Sequence, residues 1–80
     1  MSPEQGARLF VKILAERNCE VGVPVQNAIA QVWAVEAGLD GSDLDEALKF
    51  AGEKGWIEDG DREGTFKLKQ AGYTVGNTND

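Results

Sequence analysis

Residues 44–73 read LDEALKFAGEKGWIEDGDREGTFKLKQAGY, and the change of period inside this run decides the fold. Leu44, Ala47, Leu48 and Ala51 recur at i, i+3, i+4 and i+7, which predicts a helix turning those four side chains toward a core. Ser42 is read as its N-cap, with Asp43, Asp45 and Glu46 in a first turn where the helix dipole favours negative charge. Gly55 closes the helix. From Trp56 the period shortens to two. Trp56-Ile57-Glu58 and Thr65-Phe66-Lys67-Leu68-Lys69 are β-prone, and Asp59-Gly60-Asp61-Arg62-Glu63-Gly64 between them has the glycines and acids of a hairpin tip. Phe66 and Leu68 point one way, Lys67 and Lys69 the other. Gln70-Ala71-Gly72 breaks the second strand, after which Tyr73 and Val75 fold back over the core.

Upstream, Ser2, Pro3 and Gln5 form a capping-box start with proline at the first helical position. Ala7, Leu9, Phe10, Val11, Ile13 and Leu14 then span an apolar arc of roughly 200° on the helical wheel. That is wider than one contact needs, so this helix is expected to pack on two sides, against the C-terminal strands or against a second copy of the chain. After an extended or turning stretch from Asn18 to Val23, Pro24 opens a second helix. Its Val25, Ala28, Ile29, Val32 and Trp33 follow the core-facing pattern, and Gly38 is the residue just past its end. The opposite side, Asn27, Ala30, Gln31 and Ala34, is small and uncharged: a solvated face, or one that another helix or a partner can approach. Trp33 and Trp56 both fall at positions that core packing accounts for. On the third helix the exposed side centres on Glu46, Lys49 and Glu53. Phe50 lies at its edge, half-buried against the hairpin, or alternatively an exposed anchor. The domain is assigned to residues 1–75 and residues 76–80 to a disordered tail with nothing to bury.

Composition narrows the function classes. The chain has 80 residues, 8 Lys+Arg against 14 Asp+Glu, no His and one Cys. It fits one domain that buries roughly 60% of its unfolded surface, with little room for a deep cleft. A net charge of −6 removes any global attraction to phosphate backbones or anionic membranes. Cys19 alone forms no internal disulfide and is read as an inert, small apolar residue. The chain suits a reducing cytoplasm, and the N-terminus lacks the basic and apolar regions of a signal peptide. Asp59 to Gly64 opens like a calcium loop, but Lys67 and Gln70 stand at its ninth and twelfth positions, so a plain acidic turn is expected there. Ser2 and Ser42 are both explained as caps, and no carboxylate pair has an apolar, concave setting to raise a pKa. The chain is therefore read as having no enzymatic activity, no cofactor and no metal.

The run Leu44 to Phe50, then Glu53-Lys54-Gly55-Trp56-Ile57-Glu58, a polar turn, and Phe66 to Tyr73 resembles the third helix, wing and post-wing segment of bacterial winged helix-turn-helix proteins. Leu68 and Gly72 keep the spacing of that family's Leu-Thr-x-x-Gly, with Lys69 where the threonine usually stands. The resemblance implies a mainly α, α+β domain: three helices followed by a two-stranded C-terminal wing. It also implies a default function, DNA binding by the third helix and wing. The charges run against that default. From Asp43 to Gly55, Lys49 and Lys54 face Asp43, Asp45, Glu46 and Glu53. From Glu58 to Lys69, Arg62, Lys67 and Lys69 face Glu58, Asp59, Asp61 and Glu63. Both surfaces that would meet a duplex are net acidic, which subtracts phosphate contacts. The expected function is thus a non-enzymatic interaction module that binds a protein partner or itself, through the faces of the first and second helices and through an acidic third helix. The alternative is a DNA-binding transcriptional regulator. The candidate partner-binding residues on the third helix and wing are Glu46, Lys49, Phe50, Glu53, Lys54, Arg62, Lys67 and Lys69.

Overall fold

The chain enters its first helix through the capping box that Ser2 and Gln5 predict. In the computed structural model, which describes residues 2–77, the Gln5 N–H donates to Ser2 Oγ and the Ser2 N–H to Gln5 Oε1, both at 3.2 Å. Seven elements follow: α1 (Pro3–Glu16), β1 (Pro24–Gln26), α2 (Asn27–Glu36), α3 (Gly41–Glu53), β2 (Ile57–Asp59), β3 (Thr65–Leu68) and α4 (Gln70–Gly76). The architecture is mainly helical α+β, with one helix and one strand beyond those expected.

The broad apolar arc of α1 is buried. Ala7, Phe10, Val11, Ile13 and Leu14 are all inside, with α3 packed on one side of the helix and α4 on the other. Two-sided packing was expected, against the C-terminal strands or a second copy. Phe66 of β3 does meet Phe10, and the second side of α1 is covered by a C-terminal helix within the chain. Gln70-Ala71-Gly72 ends β3 as expected, yet Lys69 becomes the N-cap of α4 rather than the start of an irregular return. A seven-residue helix has little side-chain surface to bury, and α4 compensates by packing backbone to backbone. Gly72 and Gly76, one turn apart, are its buried face. A Cβ on Gly76 would lie 2.6 Å from the Val11 carbonyl oxygen, and one on Gly72 would meet the Trp56 carbonyl. Of the segment expected to be a tail, Gly76 is thus a packed helical residue and Asn77 its cap, while residues 78–80 lie outside the described residues.

The sheet is antiparallel with order β1-β3-β2. The expected hairpin supplies β2 and β3, in the register Ile57↔Leu68, Glu58↔Lys67, Asp59↔Phe66. The added strand is β1, with Pro24↔Lys67, Val25↔Phe66 and Gln26↔Thr65. Pro24 therefore sits in an edge strand, where its missing N–H is tolerated, and does not open the second helix. That helix starts at Asn27, whose N–H donates to the Gly64 carbonyl at 2.9 Å.

Anchored in this way, α2 presents the opposite face from the one its periodicity suggests. Ala30 and Ala34 are buried at 2% and 0% exposure, whereas Ile29, Val32 and Val35 stand 44%, 56% and 52% exposed. Trp33 is half-buried under the Arg17 guanidinium, 5.1 Å from its ring centre. The α3 helix keeps its expected inner face, with Leu44, Ala47 and Ala51 buried and Leu48 partly so. Its start differs: Asp40 is the N-cap and Gly41 the first helical residue, so Ser42 lies inside the helix and caps nothing. Buried Leu39 fixes the approach, and the Leu44 N–H reaches the Asp40 carbonyl at 3.3 Å.

Candidate functional site

The inner side of the hairpin, the start of α2 and the outer flank of α3 enclose a half-open groove of about 330 Å³. Its floor follows from the β-alternation read in the sequence. Phe66 points inward from β3 onto Phe10 of α1, ring centres 5.7 Å apart, and Ala30, Leu48 and Ile57 complete the apolar base. The rim is polar: Asn27 and Gln31 from α2, Lys49 from α3, Glu58 and Asp59 from β2, and Thr65 from β3. Thr65 Oγ1 is already committed, donating to the Arg62 carbonyl at 2.6 Å across the hairpin tip.

The eight residues expected to form one partner-binding surface are spread over several settings. Lys49 alone lines the groove. Glu46 and Glu53 are exposed on α3, and Arg62 is exposed at the hairpin tip. Phe50 is half-buried, as read from its place at the helix edge, and meets Trp56 edge-on at 5.6 Å. Lys54 lies over the Phe50 ring at 5.4 Å, and Arg8 lies over Trp56 at 5.9 Å. Lys67 is only 20% exposed in its side chain and is bound to Asp61 at 3.0 Å. Lys69 caps α4 and directs its Nζ toward Gly55. Lys67 stands between Glu58 across the strand pair and Asp61 at the turn.

Asn27, Gln31, Glu58 and Asp59 line the groove and are missing from the sequence-based set. The two carboxylates appeared only as charges to be counted. The register Asp59↔Phe66 puts Asp59 on the Phe66 side of the sheet, and Glu58↔Lys67 puts Glu58 on the other; the sign of a turn residue says nothing about the space it borders. Neither carboxylate has an ion-pair partner among the described residues. The remaining ion pairs there, Arg8 with Glu4 at 3.7 Å and Arg17 with Glu36 at 3.5 Å, lie elsewhere on the surface.

No group of three or more Cys, Asp or Glu among the described residues is placed to hold a metal ion. No helix among them is long and apolar enough to cross a membrane. Cys19 is half-buried beyond the end of α1, and burial pushes its thiol pKa up, which opposes formation of the nucleophilic thiolate. Compared with protein-family models, with curated proteins and with solved structures, the chain finds no match. Its residues and their geometry are therefore what a functional reading rests on.

Proposed function

We propose that the chain is a non-enzymatic, protein-binding module of the winged-helix type, and that the groove between α3 and the hairpin takes a basic segment of a partner protein. The succession α1, α2, α3 and hairpin supports the winged-helix assignment, with β1 adding a third strand to the wing and Leu68 and Gly72 joining it to α4. The observation that carries the binding reading is the division of the charges. The hairpin's Lys67 is bound by Asp61 and stands across the strand pair from Glu58, while Asp59, on the Phe66 side of the sheet, borders an apolar floor and has no ion-pair partner among the described residues. A cationic side chain laid along that rim meets the Asp59 carboxylate, and apolar neighbours in the same segment reach Leu48, Ile57 and Phe66.

Electrostatic complementarity of this kind contributes chiefly to specificity and association rate, with affinity following from the apolar contacts. Charge also opposes the DNA reading, because from Glu58 to Lys69 the carboxylates of Glu58, Asp59, Asp61 and Glu63 outnumber Arg62, Lys67 and Lys69, and Lys67 is already bound to Asp61. Calorimetric titration with a short peptide of alternating lysine and leucine tests the proposal. Binding should weaken as salt is raised, and the double substitution Glu58→Lys with Asp59→Lys should lower affinity by about tenfold or more. Absence of binding, or an affinity that the double variant leaves unchanged, contradicts it.

A further inference from the structure

The outward face of α2 is an uncovered apolar stripe and holds the two most exposed of the large apolar side chains among the described residues, Val32 and Val35. Ile29, Val32 and Val35 project from it at about half exposure, flanked by exposed Ala28. From Asn27 to Val35 this helix carries no charged residue, whereas α1 and α3 both carry exposed carboxylates. Two copies of a molecule with net charge −6 repel one another over most of their surfaces. The α2 face is where they can meet without bringing carboxylates together.

The spacing of the stripe identifies its occupant. Ile29 and Val35 lie three residues either side of Val32, so the face is self-complementary about that residue. A second α2 packed antiparallel across a two-fold axis through Val32 sets Val32 against Val32 and Ile29 against Val35 in both directions, the isologous contact of a symmetric dimer. The helix ends agree with this orientation. No side chain caps the N-terminus of α2 and no acidic residue lies in its first turn. In the antiparallel pair each Glu36, whose own-chain partner is Arg17, comes opposite Ala28 of the other copy, beside that copy's uncapped first turn, where the helix dipole favours a carboxylate.

We propose that the chain self-associates weakly through α2, as an antiparallel, two-fold symmetric dimer centred on Val32. This surface is separate from the acidic groove and does not depend on it. The strength follows from area. A stable interface removes about 800 Å² from each partner, close to a sixth of the 4944 Å² accessible surface of this chain. A ten-residue helix only about 15 Å long supplies less than that, which places the dimer in the weak, concentration-dependent class.

Sedimentation equilibrium over a wide concentration range tests the proposal. The wild-type chain should pass from monomer toward dimer, and Val32→Glu should weaken association by roughly a hundredfold, because the two-fold axis sets the two new carboxylates against each other. Lys12→Ala, exposed on α1, makes the same change in net charge elsewhere and should leave most of the association intact. A third variant, Val32→Cys in a Cys19→Ala background, should form a disulfide-linked dimer on mild oxidation faster than Lys12→Cys in the same background. A chain that stays monomeric throughout, a dimer that Val32→Glu leaves intact, or Val32→Cys crosslinking no faster than the α1 control would each overturn it. Peptide binding at the groove reads out separately, with Val32→Glu expected to leave it unchanged.

Discussion

The α1 and α2 helices are both rich in apolar residues, and they use them in opposite ways. In α1 the large side chains are inside: Phe10, Val11 and Leu14 are at most 1% exposed. In α2 the two buried residues are alanines, and the branched aliphatics face out. The difference lies in what holds each helix. No strand pairing fixes the rotation of α1, which packs between α3 and the glycine face of α4, so its largest apolar residues occupy the space. The α2 helix is tied through its first residues to the sheet, by the Val25↔Phe66 pair and by the Asn27 N–H on Gly64, and its phase is set there. Only small residues fit on the side thus turned inward. A helix's hydrophobic side and its buried side coincide only when packing is free to choose its rotation.

The contrast predicts unequal costs for similar truncations. Leu14→Ala should lose about 2–5 kcal/mol of unfolding free energy, the range for emptying a closed core position, measured by urea denaturation at constant m-value. Val32→Ala should lose under about 1 kcal/mol, since most of that side chain is already in water. Equal losses at the two positions would break the comparison.

Enlarging the inner residue of α2 probes the same point from the other side. Ala34→Leu should cost about 1–3 kcal/mol by overpacking, although leucine is the better match to the apolar pattern. Gly76→Ala should cost a similar amount, about 1–3 kcal/mol, because its Cβ has no room beside the Val11 carbonyl. A lowered melting temperature in both, with unchanged far-ultraviolet circular dichroism, is the expected result.

Smaller effects belong to the helix starts. Ser2→Ala removes the α1 capping box and should cost about 1 kcal/mol. Gln26→Asp would give α2 the cap it lacks and should stabilise by a few tenths to about 1 kcal/mol. Smallest is Arg17→Ala, which removes an exposed ion pair with Glu36 and the contact over Trp33. It should cost no more than about 1 kcal/mol, and less at high salt.

Most of the layered plan was legible in the sequence because it rests on local signals. The capping box at Ser2, the i, i+3, i+4, i+7 repeat from Leu44 to Ala51, and the alternation through Phe66 and Leu68 each report on their own segment. What was not legible depends on partners distant in sequence. At three residues, β1 has no period of its own and exists because β3 offers an open edge. A helix as short as α4 is stabilised by two glycines that permit contact, a packing signal rather than a propensity one. The rotation of α2 is invisible to a helical wheel, which ranks faces by hydrophobicity and cannot weigh clearance. At the candidate site, Lys49 and the half-buried place of Phe50 were readable. The pairing of Lys67 with Asp61, and the approach of Asp59 to an apolar floor, required the strand register.

The central functional claim is that the groove between α3 and the hairpin recognises a basic protein segment rather than DNA. Amide-resolved NMR of the labelled chain, titrated in parallel with the lysine–leucine peptide and with mixed-sequence duplex DNA at low and moderate salt, tests it most directly. The peptide should shift Gln31, Lys49, Ile57 to Asp59 and Phe66, and the duplex should leave them unmoved at both salt concentrations. Salt-sensitive shifts with the duplex at Lys49, Lys54 and Arg62 to Lys69, with none from the peptide, would contradict it and make the chain a DNA-binding protein.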